Sequence, residues 1–185
     1  MNKNAVLEIW LEKPDMEAAA LAAQCAAQCY VLHEIFLVDA KISRDPLIES
    51  PEALSLEHKC DTEFLELDIE KYRVLCNFQV AAFSDQEPSK LVMKIEAAFC
   101  TSYVSKPDIH MPDVSSLTTH YMWRINPICH AWPYWREFVQ SMSARMGYPA
   151  LTVPMLEIVL KQTPPKKAKN QPVKKQATRR KKVNA

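Results

Sequence analysis

The chain of 185 residues contains a single glycine, Gly147, which lies at the end of an amphipathic stretch. A glycine just past the last turn of a helix accepts the left-handed backbone conformation that other residues adopt only with strain. At the other end of the stretch, Pro133 suits a first helical position, because its missing N–H would have no partner there. We therefore predict a helix that begins at Pro133 and ends just before Gly147.

Apolar side chains recur within this predicted helix at spacings of three and four residues. This repeat places them on one face and most polar side chains on the other. The apolar positions are Trp135, Phe138, Val139, Met142 and Met146. An apolar helix face must be buried against another layer, and we expect that layer to be a sheet.

Two stretches upstream alternate clearly between apolar and polar residues, at 72–82 and at 90–104. Alternation with a period of two is typical of strands that bury one face. The intervening "SDQEPS" has the composition of a hairpin connection. These strands follow each other through a short link, which predicts an antiparallel sheet and an α+β fold.

Weaker patterns predict the remaining elements. A strand begins at Glu34, half-buried through Phe36, Val38, Ala40 and Ile42, and "ALSLEHKC" is a second, short candidate. Asp15 can cap an alanine-rich helix that ends near His33. The stretch "ALTVPMLEIVL" after Gly147 fits either a strand or a short helix, although its proline argues against a central strand.

The formal charge of +1 conceals two parts of opposite sign. The last 25 residues carry ten of the 23 lysines and arginines and no acid, which leaves 13 basic and 22 acidic residues in 1–160. Because the basic stretch has few large apolar side chains, its burial cannot offset the entropy of ordering it. We predict a folded domain at 1–161 and a disordered basic tail at 162–185. The tail either solubilises the protein or binds polyanions weakly.

The single glycine also bears on chemistry, because glycine-rich loops that wrap phosphates cannot form. Cys25, Cys29 and His33 are spaced as a metal site on one helix face would be, but buried thiols on a packing face explain this spacing better. Cys129 and His130 are adjacent in sequence, so their side chains rarely face each other. We expect no cofactor, no metal and no catalytic residue, and therefore no enzymatic activity.

Three further features bear on location. The six cysteines contain no CxxC pair, which is typical of reduced thiols. The N-terminal stretch has no pattern of a cleaved secretory signal. The longest apolar run, at 18–32, is shorter than the roughly 20 residues that a membrane span needs. We expect a cytoplasmic protein without membrane insertion.

The segment "INPICHAWPYWREFVQSMSARMGYPALTVP", at 125–154, resembles the helix and following loop of the SecB export chaperones. The matching residues are Pro133, Tyr134, Arg136, Glu137, Ser141, Met142, Arg145, Gly147, Pro149 and Leu151. The order of strands, with "LVMKIEAAF" before the helix, extends the resemblance to roughly 34–160. The alanine-rich helix is more similar to SecB-like relatives, including chaperones that protect antitoxins. The basic tail departs from the SecB pattern.

The resemblance implies a SecB-like α+β fold, in which a four-stranded antiparallel sheet has an N-terminal helix and a long C-terminal covering helix. It also implies a homotetramer, a dimer of dimers, whose apolar grooves hold unfolded polypeptide without ATP. The candidate peptide-binding residues are Trp123, Trp132, Tyr134, Trp135, Phe138, Met142 and Tyr148. Each of these side chains also fits an ordinary core position.

A second candidate surface is charged. The acidic run fits either a solvated strand edge or a partner surface, and Lys94 interrupts a face that is acidic in the family and meets the SecA motor. The partner-surface candidates are Glu63, Glu66, Asp68, Glu70 and Lys94. Lys94 therefore argues against docking to SecA, which stands beside protection of an antitoxin as one of the two roles that the resemblance implies.

Two hypotheses of function follow from the sequence. The first is an ATP-independent holdase that binds exposed apolar segments of non-native proteins, for export or to protect an unstable client such as an antitoxin. The second is a non-enzymatic protein–protein adaptor whose basic tail binds polyanions. Holding that survives removal of the tail would favour the first hypothesis.

Overall fold

In the computed structural model of the protein, the described residues are 5–11, 16–48, 54–67, 70–87, 89–106, 118 and 121–162. The elements in chain order are β1 Ala5–Leu11, α1 Met16–Cys29, β2 Tyr30–Arg44, β3 Leu54–Leu67, β4 Lys71–Ser84, β5 Leu91–Ser105, a π-helical turn Tyr121–Ile125, α2 Asn126–Arg145 and β6 Leu156–Gln162. The predicted α+β class is confirmed. Gln162, the first residue of the predicted tail, is the last residue of β6, and the remainder of the predicted tail lies outside the described residues.

The main sheet contains four antiparallel strands in the order β2-β5-β4-β3. Two hairpins join β3 to β4 and β4 to β5, whereas β2 pairs with β5 and not with the strand that follows it. The chain between β2 and β3 therefore passes from one edge of the sheet to the other. The four-stranded antiparallel sheet is confirmed, although its neighbours are not all consecutive strands.

Helix α2 covers one face of this sheet and contacts β3, β4 and β5. The ring of Trp135 stacks on that of Phe78, with centroids 5.5 Å apart. The alternating apolar residues of 72–82 are all buried on β4, as their period of two predicts. They are Tyr72, Val74, Cys76, Phe78, Val80 and Ala82.

The start of α2 differs from the prediction. The helix begins at Asn126, with a proline in its first turn, and Pro133 lies exposed inside it. Because Pro133 has no N–H, one intrahelical hydrogen bond is lost there. Ile128 and Ala131 are fully buried, so the turns before Pro133 are stabilised by packing on the sheet.

The end of α2 is as predicted. Gly147 has a φ of 82°, in the left-handed region. The N–H of Gly147 donates to the carbonyl of Ala144 at 3.0 Å, and the N–H of Tyr148 donates to that of Ser143 at 3.1 Å. This pair of bonds satisfies carbonyls at the helix end that would otherwise lack partners.

Helix α1 ends at Cys29 and leads directly into β2, so its predicted end near His33 was wrong. Lys106, just after β5, donates from its backbone N–H to the carbonyl of Cys29 at 2.9 Å and from Nζ to that of Ala27 at 2.8 Å. These bonds satisfy the helix end where the sequence shows no stop signal. His33 lies on a strand, so it does not share a helix face with Cys25 and Cys29.

Two strands were predicted incompletely. β2 forms, but Phe36 and Val38 are 43% and 54% exposed, so the expected half-burial is wrong for a single chain. These side chains are exposed because β2 is an edge strand, at the opposite edge of the sheet from β3. The weak candidate "ALSLEHKC" is part of a full strand of 14 residues, β3.

A second, two-stranded sheet was not predicted. β1 and β6 pair in parallel, from Ala5 with Leu156 to Leu11 with Gln162. The stretch after Gly147 is therefore a strand and not a short helix, and Pro154 precedes it.

Candidate functional site

A groove with a volume of about 980 Å³ crosses all four strands of the main sheet. Its floor includes a row of paired residues, one from each strand. Ala40 on β2 pairs with Ala97 on β5, Ala97 with Phe78 on β4, and Phe78 with Cys60 on β3. Phe78 and Ala97 in the middle of the row are buried under α2, whereas Ala40 at the β2 end is exposed and Cys60 at the β3 end is partly buried. The floor is therefore accessible to a ligand at its two ends.

The wall of the groove comes from α2 and from the chain after it. Trp132 and Trp135 are one helical turn apart and both line the groove, together with Leu156 at the start of β6. The indole N–H of Trp132 donates to the carbonyl of Pro154 at 3.2 Å. Arg136 donates from Nε to the carbonyl of Val153 at 2.9 Å. These bonds fasten the segment before β6 to α2 and so position Leu156.

Two basic side chains in the groove have buried polar atoms without a hydrogen-bond partner. They are Nδ1 of His58 on β3 and Nε of Arg124 on the π-helical turn. Burial lowers the pKa of His58, which favours the neutral imidazole. Burial raises the pKa of the Cys60 thiol, and the charge of Arg124 opposes this shift only in part. Cys60 is therefore a protonated thiol and not an activated nucleophile.

The groove lining also includes charged residues of both signs, from positions adjacent to the floor row. They are Asp39, Lys41, Lys59, Asp61 and Glu96. Since side chains alternate along a strand, these positions belong to the opposite face of the sheet from the floor row. Glu96 forms an ion pair with Lys94 at 2.7 Å. The side chains of the floor row itself are uncharged.

The predicted peptide-binding residues fall into two groups. Trp132, Trp135, Phe138 and Met142 lie on the covering helix toward the sheet, and the first two line the groove. Trp135 is only 1% exposed, and Phe138 is partly buried with its ring edge toward Phe99. Within this group, Trp132 and Trp135 are the residues that the fold brings to the groove.

The other three predicted residues lie apart from the groove lining. Trp123 is 38% exposed on the π-helical turn, where its ring centroid is 5.1 Å from that of Phe64. Tyr134 is 51% exposed on α2. Tyr148 is buried after the end of α2, under the guanidinium of Arg44.

The partner-surface candidates do not form one cluster in the described residues. Glu63 is exposed on β3 and level with Leu75, whereas Lys94 on β5 is level with Ala81, in the other half of β4. Glu66 pairs with Arg73 in the strand register. Glu70 is exposed before β4, and Asp68 lies outside the described residues.

Sequence reasoning missed the floor of the groove and its basic side chains. Ala40 was predicted on the buried face of one strand and Ala97 lies within another predicted strand, but nothing in either strand indicates that they pair. Arg124 and His58 carry no local pattern that marks a site. The alanine at each position was the available signal, because a small side chain on an apolar strand face leaves a gap in packing.

A second cavity, of about 490 Å³, lies beside α1 and contains a tyrosine–histidine pair. The hydroxyl of Tyr103 is 2.7 Å from Nδ1 of His130. Burial raises the pKa of Tyr103 and lowers that of His130, so both groups favour their neutral forms. This pair is a neutral hydrogen bond that joins β5 to α2. In the part of the chain that the structure describes, no three His, Cys, Asp or Glu side chains are grouped to hold a metal ion.

Comparison with solved structures identifies the fold. A structure of the Mycobacterium tuberculosis SecB-like chaperone Rv1957, in complex with a ChAD peptide from the Rv1956 HigA1 antitoxin, matches with a TM-score of 0.62. The match covers 75% of this chain and 99% of that chain, at 13% sequence identity. A protein of unknown function from Streptococcus agalactiae matches at a TM-score of 0.40 and 8% identity, over 68% of this chain and 97% of its own.

No protein-family model matches the chain, and no curated protein matches its sequence. Neither helix in the described ranges is long and apolar enough to cross a membrane. The likeness to the mycobacterial structure agrees with the resemblance of segment 125–154 to SecB. The chain therefore has the fold of the SecB-like chaperones.

Proposed function

We propose that this protein is an ATP-independent chaperone that holds non-native polypeptides in the groove across its main sheet. The observation that carries the proposal is the groove itself, with its row of Ala40, Ala97, Phe78 and Cys60 and its tryptophan wall. Four adjacent strands span about 14 Å, which is the length of about four extended residues. A short extended segment of an unfolded client fits this length.

The chemistry of the groove favours clients of varied sequence. Trp132 supplies aromatic surface at the wall, which binds apolar side chains without directional bonds. Ala40 is exposed and has a single methyl group, so it lets a client backbone approach the sheet at the β2 end. The likeness to a SecB-like chaperone in complex with an antitoxin peptide supports a polypeptide client for this chain.

The proposal requires no catalytic step, and we propose that the protein is not an enzyme. The protonated Cys60 and the neutral Tyr103–His130 pair support this reading, because neither supplies a nucleophile or a charged acid–base pair. The single glycine supports the independence from ATP, since a phosphate-binding loop needs several glycines.

One substitution tests the groove without disturbing the core. Ala40 is exposed on an edge strand, so the side chain of Ala40→Trp fills the groove from its β2 end. The strand itself should tolerate the substitution, because aromatic residues are favourable in strands. Ser43→Trp is the matched control, because Ser43 lies on the same strand and on the opposite face. The assay is light scattering of citrate synthase diluted from guanidinium chloride.

We expect the wild-type protein and Ser43→Trp to suppress aggregation at stoichiometric amounts. We expect Ala40→Trp to need about tenfold more protein, the effect of losing roughly 1.4 kcal/mol of binding free energy. No suppression by the wild-type protein would overturn the chaperone proposal. Equal suppression by Ala40→Trp would show that clients bind elsewhere.

The predicted peptide-binding residues remain proposals. Trp132 is the one we propose to contact a client in the groove directly. Trp123 and Tyr134 are exposed and lie outside the groove lining, so we propose that they contact the longer parts of a client. Trp135, Phe138 and Met142 support the wall from behind.

We also propose a homo-oligomer, with a dimer of dimers as its form. The exposed aromatic and aliphatic side chains of β2 support it, because an edge strand with Phe36, Leu37 and Val38 exposed is a template for pairing with a second copy. Light scattering coupled to size-exclusion chromatography measures the mass. A monomer at micromolar concentration would contradict the proposal.

The location and the client are separate questions. The six cysteines are free thiols, which supports a reducing compartment and therefore the cytoplasm. Delivery to SecA and protection of an antitoxin are both compatible with holding a client. A pull-down with purified SecA distinguishes the two roles, since only export requires binding to SecA. If SecA binds, Lys94 and the acidic partner-surface candidates are the residues to substitute.

A second candidate function is a protein–protein adaptor whose basic tail binds polyanions. The difference in charge between 1–160 and the last 25 residues favours this function.

We propose that the tail lies outside the folded domain. Deletion of 163–185 keeps Gln162, which pairs with Leu11 at the end of β6. A chaperone keeps its holding activity after this deletion, whereas the adaptor loses its main binding activity, measured with heparin or RNA at two salt concentrations.

A further inference from the structure

Arg124 lines the groove, and its side chain is partly buried. Its Nε is buried and has no hydrogen-bond partner. Among the described residues, none has a carboxylate within ion-pair distance of the Arg124 guanidinium. Asp61, the acid beside the floor residue Cys60, accepts instead a hydrogen bond from the amide of Thr62 at 2.9 Å.

The position of Arg124 directs it toward a ligand. It lies on the π-helical turn between Trp123 and Ile125, and the buried Met122 and Ile125 hold that turn against the core. Its guanidinium is close enough to influence the titration of Cys60 on the groove floor. The backbone that carries it is therefore held in place, and its charge acts at the β3 end of the floor row.

An unpaired, partly buried guanidinium is costly, because the charge has lost part of its hydration without gaining a partner. A carboxylate that arrives with a ligand recovers this energy through charge-assisted hydrogen bonds, for which the planar guanidinium is well suited. His58, also in the groove and also with an unpartnered buried nitrogen, offers a neutral hydrogen bond to the same ligand.

We propose that Arg124 makes the groove selective for client segments in which an acidic residue lies beside apolar ones. This inference rests on the proposed function, since it assigns a sequence preference to the same groove. The aromatic wall binds the apolar side chains, and Arg124 binds the carboxylate at the β3 end. A segment with a lysine at that place is rejected by repulsion.

The test uses three decapeptides made of Leu, Phe, Val and Ser, each with fluorescein on its N-terminal nitrogen and an amidated C-terminus. They differ only at the fifth residue, which is Glu, Gln or Lys. Fluorescence anisotropy gives the dissociation constants for the wild-type protein, Arg124→Gln and Arg145→Gln. Arg145 is an exposed residue in the last turn of α2 and outside the groove, so its variant controls for net charge.

For the wild-type protein we expect the Glu peptide to bind about tenfold more tightly than the Gln peptide, and the Lys peptide to bind most weakly. Arg124→Gln should make the Glu and Gln peptides equal, while Arg145→Gln keeps the preference. Arg124→Lys keeps the charge without the planar fork and should retain a preference of about threefold. Arg124→Lys also replaces Arg124→Gln as the test variant if circular dichroism shows that Arg124→Gln is unfolded.

The outcomes separate the two proposals. Equal binding of the Glu and Gln peptides by the wild-type protein overturns the selectivity but leaves the chaperone proposal standing. A preference that survives in Arg124→Gln overturns the assignment to Arg124. If no peptide binds the wild-type protein at about 100 μM, a concentration well above weak peptide affinities, the groove is not a peptide site and both proposals fail.

Discussion

The guanidinium carbon of Arg44 lies 4.8 Å from the centroid of the Tyr148 ring. Arg44 ends β2, and Tyr148 follows the helix that covers the sheet. The same guanidinium donates hydrogen bonds to the carbonyls of Met146 and Ile48, and the hydroxyl of Tyr148 donates to Ile48 at 3.2 Å. One side chain thus joins the edge strand, the chain leading to β3, and the C-terminus of α2.

Replacing Arg44 by alanine should destabilise the protein by about 1–2 kcal/mol, because the cation–π contact and the hydrogen bonds from the guanidinium are lost together. The free energy of unfolding is measured by equilibrium urea denaturation. Lys41→Ala, on the same exposed strand, removes a positive charge without such contacts and should change stability by less than about 0.5 kcal/mol. Equal effects of the two substitutions would contradict the role of Arg44.

Gly147→Ala should cost about 1–2 kcal/mol, since its φ of 82° is strained for a residue with a side chain. An added Cβ would also lie 3.3 Å from Nη1 of Arg44, so part of the cost comes from this contact. Thermal unfolding followed by circular dichroism measures the change. In an Arg44→Ala background the contact is absent, and the cost of Gly147→Ala should fall but not vanish.

Gly147→Asn provides the control for backbone strain, because asparagine tolerates the left-handed conformation better than alanine. It should destabilise the protein less than Gly147→Ala does. A larger loss for asparagine would show that space near Arg44, and not the backbone, decides what residue 147 can be.

Substitution by alanine should destabilise the protein strongly at one of two neighbouring aromatic residues on α2 and only slightly at the other. Trp135→Ala removes a fully buried ring stacked on Phe78 and should cost about 3–5 kcal/mol. Tyr134→Ala removes a ring that is half exposed and should change stability by less than about 0.5 kcal/mol. Urea denaturation distinguishes them. A small effect at Trp135 would mean that this part of the sheet is not packed under α2.

Stability should fall as the pH is lowered through the ordinary histidine range. Burial lowers the pKa of His58 below its ordinary value of 6.5, so the unfolded chain binds a proton at a pH where the folded chain does not. The unfolded state therefore gains protons first, and the free energy of unfolding decreases as the pH falls below about 6.5. Urea midpoints between about pH 7.5 and about pH 5 measure this slope.

The matched variants isolate the contribution of His58 from that of the carboxylates. His58→Gln should reduce the loss of stability at low pH, while His33→Gln, at an exposed position on β2, should leave it as in the wild type. A slope that is unchanged in His58→Gln would show that other groups, such as His130, carry the dependence.

Much of the sheet and the end of the covering helix could be predicted from the sequence, because both are local properties. The alternation at 72–82 specifies a strand with one buried face, whatever it pairs with. Gly147 stops a helix because of its own backbone freedom. The resemblance of 125–154 to SecB also led to the correct fold, since the spacing of its prolines, aromatic residues and glycine reflects how the helix meets the sheet.

Local signals misled where tertiary packing outweighs them. Pro133 has the character of a helix start, yet the helix extends back to Asn126 because Ile128 and Ala131 are buried on the sheet. The alanine-rich helix has no stop signal near Cys29, and the bonds that end it come from Lys106, far along the chain. β1 forms only because a strand from the other end of the described chain pairs with it.

The groove is the feature that only the tertiary structure determines. Ala40, Cys60, Phe78 and Ala97 come from four strands, and each is an unremarkable residue in its own segment. Strand register aligns them. The register of β2 with β5 depends on a pairing between distant parts of the chain, which neither strand specifies by itself. The sequence alone determined which faces are apolar; the pairing of the strands and the position of α2 decided where that surface stays open to a ligand.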